Sequence, residues 1–331
     1  MGGSTPVRIE RCEPLAHRNE IEALFLRNGR ESFPVTLARA YGYARTGGGV
    51  TWIARNAEGS VVGHLAALPR LFRDPTRAAR AALFADMLMD RGYRDFRSAV
   101  QLCRQAVADL RSVGSFDFAY TDPTLPAQVV VRAAGFMEVG TMRRYVVPLH
   151  PLYTLFFRLG EPAERLFAER VEGDGGVRVA DALHALAPGP YFRGERSPEL
   201  YATRLGGETM PQWEWHLLHR GLDPQSPVAA LVLVARSSSG RVPSIVDLLW
   251  DERQVSASAV LRAVVGSMWD AGFSRLGMVT LAESGLARAL RRCGFIRRGD
   301  ALPLFVLQLR EGVRLPPPGD WLLTYFDGSA W

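Results

Sequence analysis

A chain of 331 residues, 47% apolar and 22% charged, has enough apolar residues to bury the core of one large domain or two medium ones, and it does not have the composition of a disordered protein. The net charge is +6, and because the sequence contains no lysine all 40 basic residues are arginine; they are dispersed rather than interleaved with aromatics, which argues against a nucleic-acid partner and is compatible with phosphate-bearing ligands. No run of eighteen residues is free of charge, the N-terminus turns charged early, and neither the cysteines (Cys12, Cys103, Cys293) nor the six histidines show ligand spacing, so a cytoplasmic protein without membrane span or metal site is expected.

VRIER (7–11) reads as a strand, followed by helical segments around 19–29 and 35–45. VTWIAR (50–55) and SVVGHLAALPRLF (60–72) form a hairpin pattern across NAEG. An apolar strand, Leu83 to Met89, then meets a charged turn holding one glycine and three arginines, and a helix begins at once, with Val100, Cys103, Val107 and Leu110 at helical spacing and Gly114 at its end. Strand, tight turn and helix N-terminus is the arrangement that cradles phosphates with backbone N–H groups. FDFAY (116–120), a helix ending in AAGF (133–136) and a closing strand MRRYVVPL (142–149) complete this half.

Residues 151–171 are amphipathic and interrupted by Arg158, Glu161, Glu164 and Arg165, the pattern of a connecting helix. The second half repeats the first. GVRVA (176–180), SPELYATRL (197–205), and the paired strands QWEWHLLHR (212–220) and PVAALVLVAR (227–236) lead to IVDLLWD (245–251), which shares with FADMLMD (84–90) the order apolar, x, Asp, apolar, apolar, apolar, Asp. A helix carrying Ala257, Leu261, Val264 and Met268, the strand RLGMV (275–279), a helix ending in RCGF (292–295) and a closing strand LPLFVLQL (302–309) follow in the same order as before. The expected architecture is α/β, more strictly an α+β mixed sheet: two tandem domains, 1–150 and 176–331, each a mostly antiparallel mixed sheet flanked by helices, joined by a connecting helix within 151–175.

In this order of elements, and in DFAYTDPT…AAGFMEVGTMRRYVVPL, SPELYATRL and DWLLTYFDGS, the sequence resembles the GNAT superfamily of acyl-CoA-dependent N-acyltransferases over nearly its whole length. Within it, the chain is similar to a bacterial subgroup associated with acylation of polysaccharides or small metabolites. The resemblance implies acetyl-CoA or another acyl-CoA as co-substrate and an amine-bearing metabolite or sugar as acceptor; composition and charge, as above, argue against a nucleic-acid or membrane partner. The family's acyl-CoA loop, R/Q-x-x-G-x-G/A, matches Arg94, Asp95, Phe96, Arg97, Ser98 and Ala99, with Arg97 in place of the central glycine. Together with Met89, whose strand would supply a backbone N–H to the thioester, and Arg91 in the turn, these residues form the expected donor site. ERQVSASAV (252–260) shows no recognisable loop, so the second half reads as a degenerate copy. The tyrosine that many members place four residues before the glycine of the GF turn is Val131 in one half and Leu290 in the other.

Acyl transfer to an amine needs placement, an oxyanion donor and a proton acceptor. Asp86 is the candidate base, although its repeat at Asp247 also suits a structural role; His64 faces the same sheet region; Tyr120, beside Asp122, is the candidate substitute acid. The aromatic residues Trp213, Trp215, Tyr325, Phe326 and Trp331 read as packing. A non-catalytic protein binding acyl-CoA, an acyl carrier or a protein partner is the alternative reading, and the sequence does not indicate an oligomeric state.

Overall fold

The computed structural model describes residues 6–30, 49–150, 166–171, 179, 182, 186, 191–205, 212–221, 226–236 and 242–328. The first half contains β1 (Arg8–Cys12), α1 (Arg18–Arg27), β2 (Val50–Arg55), β3 (Val61–Asp74), β4 (Arg77–Met89), α2 (Phe96–Val113), β5 (Phe118–Thr121), α3 (Leu125–Ala133) and β6 (Met137–Pro148). The second contains β7 (Leu166–Val171), β8 (Phe192–Gly194), α4 (Pro198–Leu205), β9 (Gln212–Arg220), β10 (Val228–Arg236), β11 (Ser244–Trp250), α5 (Ala257–Asp270), β12 (Arg275–Leu281), α6 (Gly285–Arg292), β13 (Ile296–Gln308) and β14 (Trp321–Leu322).

The strands form one mixed sheet in the order β1-β2-β3-β4-β5-β13-β6-β12-β11-β10-β9-β7, with β8 and β14 paired beside β3. Neighbours are antiparallel except for the pairs β4–β5, β11–β12 and β8–β14. Each half's closing strand lies against the other half: β13 pairs with β5, and β6 pairs with β12. The two closing strands also pair with each other at the centre. The sequence marks both as strands but not this exchange, because pattern sets which residues face the core and not which strand answers a hydrogen-bonding edge.

Side-chain alternation sorts the core onto two faces. Phe84, Ala119, Phe305 and Leu307 pack under α2 and α3, and Tyr145, Val147, Val232 and Leu248 pack under α5 and α6. The opposite face carries α1, α4 and the C-terminal segment, through Ile53, Phe118, Tyr120, Leu231 and Phe326. Trp215 and Phe326 both pack on Tyr201 there, with ring centroids 4.9 and 4.5 Å away, and Trp213 and Tyr325 border the same cluster. Trp331 lies outside the described residues.

One segment differs from its sequence reading. Residues 166–171, assigned to a connecting helix, form edge strand β7 along β9. LFAERV is too short for its apolar spacing to separate helix from strand, and pairing with an available sheet edge decides. The preceding residues 151–165, the predicted helix at 35–45 and most of the predicted strand at 176–180 lie outside the described residues. Among the described residues no helix is long and apolar enough to cross a membrane, and no group of side chains could hold a metal ion.

Candidate active site

β4 and β5 pair only through Ala81–Phe118, Ala82–Ala119 and Leu83–Tyr120. β4 then continues to Met89 without a partner on that side, which leaves a gap at the C-terminal edge where α2 and α3 also begin. A bulge makes the strands part. His64 pairs with Leu88 and Ala66 with Ala85, so Leu65 alone faces Asp86 and Met87. Asp86 takes φ +55°, the one left-handed non-glycine residue among those described. Such a conformation costs on the order of 1–3 kcal/mol for a residue with a Cβ, so the surroundings must hold it.

His64 does part of that holding. Its Nδ1 lies 2.9 Å from the Asp86 carbonyl, and Phe25 of α1 meets the ring edge-on at 5.3 Å. The ring is fully buried, and burial, partly offset by the Asp86 carbonyl, lowers its pKa to about 4. His64 is therefore neutral at physiological pH and supports the bulge from behind, while the half-buried Asp86 lies on the bulge itself.

The bulge also determines where the backbone points. The Asp90 N–H bonds the Val62 carbonyl of β3. Strand alternation then turns the Met89 amide the other way, into the gap that β5 has left. The Met89 carbonyl on that side accepts from Arg94 Nε (3.0 Å), and Arg94 Nη2 reaches Asn28 Oδ1 (2.7 Å). Asn28 in turn bonds the Leu24 carbonyl at the end of α1. Arg94, expected to read phosphate, instead ties the end of β4 to α1.

Asp95 caps α2: its Oδ1 accepts the Ser98 N–H at 2.9 Å. The Ser98 hydrogen bonds, with a further one from the Arg97 amide, hold this carboxyl below its usual range, so a negative charge sits where the family's loop offers bare amides to pyrophosphate. The spacing D-x-x-S could have shown this cap in the sequence. Ser98 and Ala99 are buried in the first turn, whereas Arg91, Phe96 and Arg97 are exposed.

Tyr120 lies on the opposite face. It is 1% exposed, and its hydroxyl donates to the Asp327 carbonyl at 2.8 Å. Asp122 touches the same segment, since a Cβ on Gly328 would fall 2.8 Å from Asp122 Oδ2. The structure thus brings Asp86, His64, Met89 and the 91–99 turn together at the gap and places Tyr120 against the C-terminal segment.

The second half has a matching divergence. β11 and β12 pair only at Ser244–Gly277 and Ile245–Met278, and β11 is bulged at Val246. This gap is filled. Thr324 bridges to Thr280 of β12 and donates its hydroxyl to Asp247 Oδ1 of β11 at 2.9 Å. Asp247 also accepts from Tyr201 and from Arg196, which bonds Asp327 as well. On the helix face, the Tyr191 ring lies tilted beside Trp250 (centroids 5.9 Å apart) and against the start of α6, where a Cβ on Gly285 would fall 2.7 Å from its hydroxyl. No sequence motif announced Tyr191 or Arg196; their roles come from long-range packing. A cavity of about 430 Å³ lined by Arg70, Arg80, Phe116, Glu195 and Ser197 lies toward the other end of β4 and includes none of the candidate residues.

No protein-family model matches the sequence, and no curated protein matches it. Solved structures do. A protein of Enterococcus faecalis described as a probable N-acyltransferase superposes with TM-score 0.69 at 12% identity, over 92% of this chain and 73% of its own. A GCN5-related N-acetyltransferase from Anabaena variabilis gives TM-score 0.65 at 13% identity over the same shares. The N-myristoyltransferase of Saccharomyces cerevisiae, solved with myristoyl-CoA, gives 0.55 at 10% identity over 92% of this chain and 83% of its own. At these identities the likeness defines the fold: a mixed sheet flanked by helices, as in GCN5-related N-acetyltransferases.

Proposed function

We propose that the chain is an N-acyltransferase that holds the pantetheine arm of an acyl thioester, such as acyl-CoA, in the β4–β5 gap and passes the acyl group to an amine. The asymmetry of the two gaps carries this reading. Both strands are bulged, but one gap has the Met89 amide turned into it, and the other is occupied by Thr324, Asp247 and Tyr191. The amine lone pair attacks the thioester carbonyl, and the developing oxyanion is met by a β4 amide. The C–S bond then breaks, the thiolate departs, and the ammonium proton passes to solvent or to Asp86. Neither Val131 nor Leu290 can protonate the thiolate, and Tyr120 donates to Asp327, so the thiolate leaves unassisted. A positioned acid supplies about 10²–10⁴-fold, and turnover is expected to be slow by up to that factor. The fold shared with acyltransferases agrees with this reading, as does the repeat of sequence elements between the two halves; the acceptor proposed is a small amine or amino sugar.

The test combines calorimetric titration with acetyl-CoA and release of free thiol from an acyl-CoA series in the presence of an amine panel. One site per chain and amine-dependent thiol release are expected. Two equivalent sites would refute the asymmetry. Donor binding without thiol release for any amine would favour a non-catalytic binding protein, which the engaged Tyr120 hydroxyl also suits.

A further inference from the structure

The edge where α2 and α3 begin has more on it than a small thioester requires. Phe96 opens α2 with 53% of its surface exposed, and Leu125 and Val129, one turn apart on α3, are 77% and 54% exposed. Apolar side chains this exposed, at the mouth of a functional gap, mark a place where something else binds. Arg91 and Arg97 flank the same turn, both exposed, and make no ion pair among the described residues. The α2 N-terminus, meanwhile, is already occupied by the ionised Asp95.

These observations admit acyl-CoA but favour a donor carried on a protein. Coenzyme A would bring two pyrophosphate charges against the Asp95 carboxylate at the N-terminus of α2. A carrier domain presents the same pantetheine arm on a single phosphodiester, which can stay further out, and surrounds it with its own side chains. We propose that the acyl donor arrives on a small acidic carrier protein bearing 4′-phosphopantetheine, docked with its apolar helix face on Phe96, Leu125 and Val129 and its carboxylates against Arg91 and Arg97. The net charge of +6 carried by this chain is complementary to such a partner. With no lysine anywhere in the sequence, a thioester brought against this surface meets no side-chain amine. The inference rests on the acyl-transfer reading above and names its donor.

The test uses the acyl carrier protein of fatty-acid synthesis, purified in its holo form, fluorescently labelled and titrated with the full chain. Binding is expected, weakening steeply as salt rises, and the apo-carrier, which lacks the pantetheine arm, should bind less tightly. Arg91→Glu with Arg97→Glu should weaken holo-carrier binding about tenfold or more, as charge reversal at an electrostatically steered interface does. Circular dichroism checks that the exposed substitutions leave the fold intact, and Leu125→Ser with Val129→Ser gives an independent second variant that should also weaken binding. Absence of holo-carrier binding, or binding unchanged in both double variants, overturns the inference. If these carrier results are negative while acyl-CoA still releases thiol to an amine, the acyl-transfer reading stands and only the carrier is lost. If carrier binds but neither thioester is turned over, the donor-docking surface stands and catalysis falls.

Discussion

Arg196 offers the sharpest test of how the second half is held closed. Its guanidinium lies between two carboxylates, bonding Asp247 Oδ1 at 3.0 Å, Asp327 Oδ1 and Oδ2 at 2.8 Å each, and the Gly194 carbonyl at 2.8 Å. The side chains of Arg196, Asp247 and Asp327 are 5%, 1% and 2% exposed, so no water is available to replace a lost partner. Arg196→Met therefore leaves two buried carboxylates without their cation. Removing one member of a buried pair costs about 3–5 kcal/mol, because the remaining charge keeps its desolvation penalty. At roughly 2 °C per kcal/mol for a chain of this size, the melting temperature should fall by about 6–10 °C. Urea unfolding gives the free energy directly. Adding Asp247→Asn and Asp327→Asn to Arg196→Met should recover part of the loss, since the charges go with their partner. A loss below about 1 kcal/mol in Arg196→Met, or no recovery in the triple variant, would refute the argument that this clasp holds the C-terminal segment in the gap. The clasp also predicts acid sensitivity. Burial pushes the Asp247 carboxyl up, but Arg196 outweighs it and leaves the pKa below the usual range. That contribution is complete above the unfolded carboxylate pKa, near 4, and disappears as pH falls through the lower folded value.

Two buried histidines predict a separate slope at milder pH. His64 and His216 are both lowered to about 4, mainly by burial, so the unfolded chain takes up protons from about pH 6.5 downward while the native chain does not. Stability should therefore fall as pH drops from 6.5 to 4, by at most about 3 kcal/mol per histidine, and His64→Gln should remove about half of that slope in urea titrations across this range; an unchanged slope would mean that His64 is protonated in the native state. Arg94→Ala breaks the link from Met89 to Asn28, and should cost about 1–3 kcal/mol in unfolding free energy, since hydrogen bonds from a charged donor are lost. A large loss of donor affinity in Arg94→Ala with no loss of stability would return this residue to the phosphate-reading role that its sequence position suggests.

How much the sequence disclosed follows from the range of the forces involved. The strands 50–55, 212–220 and 245–251 and the helices that begin after 95 and 256 are local: alternation and helical spacing lie within a few positions of one another. The divergence of β4 from β5 was legible through the resemblance, and the repeat FADMLMD/IVDLLWD marked both bulged strands. What the repeat could not show is that its two aspartates have different surroundings. Asp247 is bound by Arg196, by Tyr201 of α4 and by Thr324 of the C-terminal segment, at sequence separations of 46 to 77, while Asp86 sits on a left-handed bulge beside His64. Likewise Arg94 fits the family's loop letter for letter, yet its partners are a carbonyl five residues back and an asparagine 66 residues away. A loop motif states which residue types can stand near a phosphate; whether they face it is decided by which other groups compete for their hydrogen bonds. In this chain Asn28 and the Met89 carbonyl bind Arg94, and the Ser98 amide binds Asp95. Arg91, Arg94 and Arg97 are all exposed along the turn, but Arg94 is held by the Met89 carbonyl and Asn28, which leaves Arg91 and Arg97 as the cations of the docking surface proposed above.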